Sequence, residues 1–264
     1  MHRIFTLFLL LIVTSASAQD KDKLFGTSEK PEPKHGFILA GNGDFDVPGG
    51  DIAKEFGLSY RLGAAVLYKT TKNWVFGLKC DFMLGNVVRQ DSLMINIRDR
   101  YSTADNTHVY EFINNNGERE GVPIYERGYM IGLQAGKIIS LNPRRPDNGI
   151  VLLTSVGFIQ YKIDIYNDNK DIPELQGAYL KGYDRLTNGS FLEEYVGYIY
   201  FAKNKLLNFT LGLDGLVGFT RDRRSYLYDV MRTDNAQRVD FLFGLRGGWF
   251  IPIFKRKSEE LLFE

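Results

Sequence analysis

Residues able to do acid, base or nucleophilic chemistry are few in this chain. It holds three histidines in 264 residues. His2 lies in an apolar leader, which leaves His35 and His108. Hydrolysis by a histidine needs an aspartate or serine within reach, and His108 with Asp105, in a connection spanning 90–127, offers such a pair. A hydrolase using His108 is therefore the enzymatic alternative, set against a solvated loop histidine. Gly41-Asn42-Gly43 matches part of a glycine-rich phosphate loop, but no helix follows it. Asp44, Asp46 and Asp51 are spaced to gather a calcium ion, yet Val47-Pro48-Gly49-Gly50 reads as turn chemistry without one. No Cys/His pattern has zinc spacing. The expectation is no cofactor, no metal and no enzymatic activity.

A second set of charges is harder to dismiss. Arg61, Lys79, Asp81, Glu193, Asp214, Asp240 and Arg246 are embedded in segments whose alternate positions are apolar. Successive side chains of a strand point to opposite faces, so these charges would share one face of a sheet. The segments are 36–46, 56–69, 74–85, 128–139, 150–166, 191–201, 207–220 and 238–251. In 56–69 one face carries Leu58, Tyr60, Leu62, Ala64, Val66 and Tyr68, and the other Gly57, Ser59, Arg61, Gly63 and Ala65. In 238–251, Val239, Phe241, Phe243, Leu245 and Trp249 stand against Asp240, Gly244, Arg246 and Gly248. The register of 150–166 and 191–201 is weakly determined, because both are apolar on both faces in places.

A soluble β-sandwich would bury the apolar face, whereas a membrane barrel turns it to lipid. Three features favour the barrel. The segments run to lengths suited to a tilted membrane crossing. The face opposite the apolar one is rich in glycine, alanine and serine, as a narrow lumen requires. Tyr68, Trp74, Tyr198, Tyr200 and Trp249 fall near one end, where an interfacial belt belongs. Connections alternate short (70–73, 141–149, 202–205) and long (47–55, 90–127, 167–190, 221–238), the asymmetry of tight periplasmic turns and longer extracellular loops. The expected fold is all-β: an eight-stranded antiparallel up-and-down transmembrane barrel over 35–254, in a Gram-negative outer membrane, with both termini periplasmic.

The flanks agree. Arg3, an apolar run at 4–13 and Ala16-Ser17-Ala18 read as a signal peptide over 1–18. Residues 19–34 read as a disordered periplasmic lead, and 255–264 as a charged periplasmic tail. With 33 basic and 32 acidic residues, charge offers no basis for a nucleic-acid partner. Cys80, the single cysteine, falls on the lipid face.

An eight-stranded barrel is only wide enough for side chains to fill, and buried charges must be paired. The seven inward charges are therefore expected to form a salt-bridged plug, with a charged conduction path as the alternative. Recognition is left to the loops. Met94-Ile95-Asn96-Ile97 and Val109-Tyr110-Glu111-Phe112 suggest a hairpin rising above the membrane. Tyr101, Tyr110, Phe112, Tyr179 and Tyr183 are candidate anchors for a protein partner, or pack one loop against another. Arg221, Arg223 and Arg224, with Arg232 and Arg238, read either as a solvated loop face or as contacts for lipopolysaccharide phosphates or an acidic partner.

The cleavage site running into Gln19, the Tyr/Asn-rich loops and the segment Gly247-Gly248-Trp249-Phe250-Ile251-Pro252 resemble the small outer-membrane β-barrel proteins of Bacteroidota, broadly the PorT-like barrels linked to secretion and gliding. The resemblance carries no catalytic or ligand residue across. With little chemistry in the chain, the expected role is structural or binding, through loops and rim. The alternative is an accessory subunit of a larger outer-membrane machine for protein secretion, barrel assembly or lipopolysaccharide transport.

Overall fold

Period-two alternation becomes a curved wall with one face turned in and the other out. The computed structural model describes residues 33–90, 92–104, 107–167, 171–202 and 207–254. The expected leader at 1–18, the lead through residue 32 and the tail at 255–264 lie outside them. In chain order the strands are β1 (Gly36–Gly50), β2 (Ser59–Lys69), β3 (Trp74–Gly85), β4 (Arg100–Ala104), β5 (Thr107–Ile113), β6 (Arg119–Ser140), β7 (Gly149–Ile165), β8 (Thr187–Tyr200), β9 (Phe209–Asp222) and β10 (Gln237–Phe254).

Eight of these form the wall. β1, β2, β3, β6, β7, β8, β9 and β10 pair antiparallel in that order. β10 returns to β1 from Gly36↔Phe254 to Gly50↔Asp240, so the sheet closes on itself. The fold is a closed eight-stranded antiparallel β-barrel. β4 and β5 form a hairpin that adds to the projecting end of β6, where Val109–Ile113 pair with Arg119–Pro123.

Two connections, 47–55 and 90–127, differ from the sequence reading. β1 runs through Val47-Pro48-Gly49-Gly50 to its end, because β10 supplies a partner over that whole stretch; the turn follows at Asp51 and the 3-10 turn Ile52–Lys54. Residues 119–127 continue β6 rather than closing a loop, paired first with β5 and then with β3 and β7. The hairpin exists, but its first arm is Arg100–Ala104. Residues 94–97 form turns instead, with Met94 at φ 57° and its side chain buried.

The lumen is filled in three layers. At the long-loop end an apolar layer includes Phe56, Met83, Tyr110, Phe112, Ile124, Ile163 and Leu242. At the short-turn end a second gathers Ile38, Leu67, Val75, Ile138, Tyr195 and Phe250. Between them lies a belt of charge. Outside, Leu62, Leu78, Leu133, Leu213, Leu245 and their neighbours stand exposed. The weakly determined strands are settled by their partners. β7 turns Val151, Leu153, Ser155, Ile159 and Tyr161 inward, and β8 turns Phe191, Glu193, Tyr195 and Ile199 inward.

Candidate functional site

Arg61 is the hub of the lumen belt. It projects from β2 with no solvent exposure. Its Nε donates to Asp46 Oδ2 at 2.6 Å, its Nη1 to Glu193 Oε1 at 2.6 Å, and its Nη2 to Asp46 Oδ1 at 2.7 Å and to Asp214 Oδ2. Arg246 donates through Nε to Asp44 and through Nη2 to Glu193 Oε1 at 2.6 Å. Lys79 Nζ lies 2.5 Å from Glu193 Oε2 and 2.7 Å from Asp81 Oδ2. Glu193 thus takes all three cations. The structure brings together six of the seven residues singled out from the sequence. The seventh, Asp240, stands apart, accepting hydrogen bonds from Tyr161 Oη at 2.7 Å and Thr220 Oγ1 at 2.6 Å.

Two further members stand on β1, on the inward face that alternation with the outward Phe37, Leu39 and Phe45 gives Asp44 and Asp46. Asp44 and Asp46 do not share a site with Asp51. They turn inward to the guanidinium groups, while Asp51 sits at the rim. There the Lys54 ammonium and the Val239 amide hold the Asp51 carboxyl below its usual range. Glu126 of β6, within the stretch read as loop, is fully buried, with the Ser59 hydroxyl beside its carboxylate. A signal for these acids was available in glycine. Gly63 is the register partner of Asp81, and a Cβ there would collide with Asp81 Oδ1. Gly244 is the partner of both Asp46 and Asp214, and a Cβ would strike both carboxylates. Glycine gives these carboxylates room to lie flat across the neighbouring strand.

The belt carries three cations against five carboxylates among Arg61, Lys79, Arg246, Asp44, Asp46, Asp81, Glu193 and Asp214. Burying such groups is tolerated when each is paired and hydrogen-bonded. With apolar layers on both sides, the arrangement obstructs the lumen. No group of three or more metal-ligating side chains fit for a metal ion exists among the described residues.

The rim is capped and clamped. Glu55 receives Arg185 at 3.3 Å and Arg238 of β10 at 2.9 Å, and Arg185 also holds Asp229, so the connections after β1, β7 and β9 are tied together. Arg224, expected to face phosphates, is gripped instead by Asp184 (Nε–Oδ1 2.6 Å). Arg221 and Arg223 remain exposed, with Arg223 Nε donating to Asn188 Oδ1 at 2.5 Å.

The candidate loop anchors divide. Tyr110 and Phe112 are 0% and 1% exposed and belong to the apolar layer of the cap. Tyr183 is also buried, its hydroxyl hydrogen-bonded with Asn96. Tyr101 packs on Tyr110 at 5.0 Å between ring centroids, with the Arg98 guanidinium over both rings. These aromatics take the loop-packing role, because two-sided burial in the cap is the apolar gain open to them. Tyr179 is the exposed exception, at 64%. Only the backbone of His108 is described, opposite Thr103 in the hairpin, and Asp105 lies outside the described residues.

No protein-family model matches the chain, and no curated protein sequence matches it. Among solved structures it is similar to Neisserial surface protein A (NspA), at 9% identity and TM-score 0.43, covering 81% of this chain and 96% of that one. It is similar to Ail, the attachment invasion locus protein of Yersinia pestis, solved with the heparin analogue sucrose octasulfate, at 11% identity and TM-score 0.39, covering 83% and 99%. It is also similar to the outer membrane protein OprG of Pseudomonas aeruginosa, at 13% identity and TM-score 0.34, covering 83% and 97%.

Proposed function

We propose that the chain is a non-enzymatic outer-membrane β-barrel with a side-chain-filled lumen, and that it works through its surfaces at the long-loop end. The observation that carries this reading is the polarity of the wall. Apolar side chains such as Leu78, Phe82, Leu133 and Leu245 face outward, while Arg61, Lys79, Glu193 and Arg246 face inward. Water on the outside would make that arrangement costly; hydrocarbon makes it favourable. Outward tyrosines and tryptophans at the short-turn end (Tyr68, Trp74, Tyr198, Trp249) fit a membrane–water boundary.

On this reading residues 1–18 are removed as a signal peptide, both termini are periplasmic, and the long loops are extracellular. The glycine-rich Gly247–Pro252 segment supports a place among the small barrels of Bacteroidota. The ligand chemistry is anionic. Arg221 and Arg223 stand exposed at the long-loop end, where β9 leaves the wall, and arginine holds phosphate bidentately. Lipopolysaccharide is the proposed partner. The test is purification from outer membranes followed by lipopolysaccharide assay. Arg221→Gln with Arg223→Gln is expected to lower the bound amount several-fold while Arg224→Gln is not. An unchanged amount in the double variant would refute the assignment.

A further inference from the structure

The outward face of the wall carries an acid at mid-height. Glu194 stands on β8 midway between Ser190 and Tyr198. Its register partner on β7 is Thr154, midway between Ile150 and Phe158, whose hydroxyl donates to Glu194 Oε1 at 2.7 Å. The row continues in small residues. Ala135 of β6 pairs with Thr154, and Gly215 of β9 pairs with Glu194. Phe76 and Phe243 bound it on either side. The result is a shallow trough across four strands, centred on a carboxyl group in an otherwise apolar band.

A carboxyl facing hydrocarbon is costly unless it is hydrogen-bonded. Thr154 has a single O–H to give, and a carboxyl has capacity for more. We propose that this trough is the contact surface of a homodimer, with Glu194 of each copy beside the two-fold axis. The inference rests on the membrane reading above. Two copies inserted in the same direction are related by an axis along the membrane normal, and such a contact is isologous. The same residue therefore lies at the same depth in both copies, and each acid meets a hydrogen-bonding group at its own level. Two carboxylic acids satisfy one another reciprocally, each O–H donating to the other's carbonyl oxygen. Ala135, Thr154 and Gly215 let the two walls approach closely, as small residues do between membrane segments.

The test is thiol cross-linking of the full-length chain in outer membranes, in a Cys80→Ser background. Val196→Cys, beside Glu194, is expected to give a species of twice the chain mass. Val66→Cys, on β2 across the barrel, is expected to give none. Adding Glu194→Leu should reduce the Val196→Cys dimer about tenfold, whereas Glu194→Gln, whose amide both donates and accepts, should retain it. Gly215→Leu should block the dimer by bulk; a Cβ there meets nothing nearer than Phe243 at 3.8 Å, so the fold tolerates it. Heat-modifiable migration in gels verifies that each variant is folded. Equal cross-linking at Val66, a dimer indifferent to Glu194→Leu, or a cross-link to a protein of different mass overturns the proposal. Flotation on the same samples separates the two readings. A chain absent from the membrane fraction sinks the membrane reading, and an embedded monomer sinks the dimer alone.

Discussion

At the scale of single residues, Arg61 bears the largest consequence. Removing it leaves Asp46, Glu193 and Asp214 short of their shared cation in a layer closed to water. Breaking a buried pair in this way costs about 3–5 kcal/mol. Arg61→Met is expected to lose that much in urea refolding titrations, with partial recovery when Asp46→Asn is added. Neighbouring positions on one strand should lose stability for different reasons. Gly244→Ala pushes a methyl group into two carboxylates, an overpacking cost of roughly 1–3 kcal/mol. Leu245→Arg meets no clash but places a charge on the outer face, at roughly 2–4 kcal/mol near mid-membrane. Leu78→Arg should behave like Leu245→Arg. Indifference to arginine at both outward positions would mean that the barrel has been read inside out.

At the scale of elements, the β4–β5 hairpin and the projecting end of β6 form a cap over the lumen. Tyr110, Phe112 and Val122 bury their side chains beside Phe56, Ile124 and Ile163. The cap is therefore anchored to the barrel by packing as well as by backbone pairing. Phe112→Ala removes a fully buried ring, a loss of about 3–5 kcal/mol that falls on the cap before the wall. Limited proteolysis is expected to cut the variant within residues 92–113 while the wall strands resist. Cleavage spread evenly over the chain would show that cap and wall unfold as one unit.

At the scale of the whole molecule, two apolar layers and a paired belt fill the lumen. The purified protein is expected to show no large, steady channels in planar bilayers; such channels would refute a filled lumen. Orientation is testable on intact cells. Single cysteines in a Cys80→Ser background at Lys72, in a short turn, should escape a membrane-impermeant thiol reagent, and at Thr233, in the last long loop, should react. Labelling in the reverse pattern would invert the proposed topology.

Much of this barrel was legible in the sequence. The faces of β2, β3, β9 and β10 followed from period-two alternation, because a strand's geometry fixes which side each residue takes. The inversion of polarity followed from glycine and charge opposing an apolar face. Alternation fixes neither height nor partner. Only the closed register decided that Arg61 meets Glu193 from β8 and Asp214 from β9, that Asp240 stands apart, and that Asp44 and Asp46 serve guanidinium groups rather than a metal. Local turn chemistry at 47–50 gave way to the pairing β10 offers, and residues 119–127 became strand because β3, β5 and β7 lay ready to bond them. The cap aromatics carry the same composition whether they face solvent or a core, so tertiary contact alone determined that Tyr110 and Phe112 are inside. Side-chain direction is a local property of the backbone; burial and partnership belong to the closed sheet.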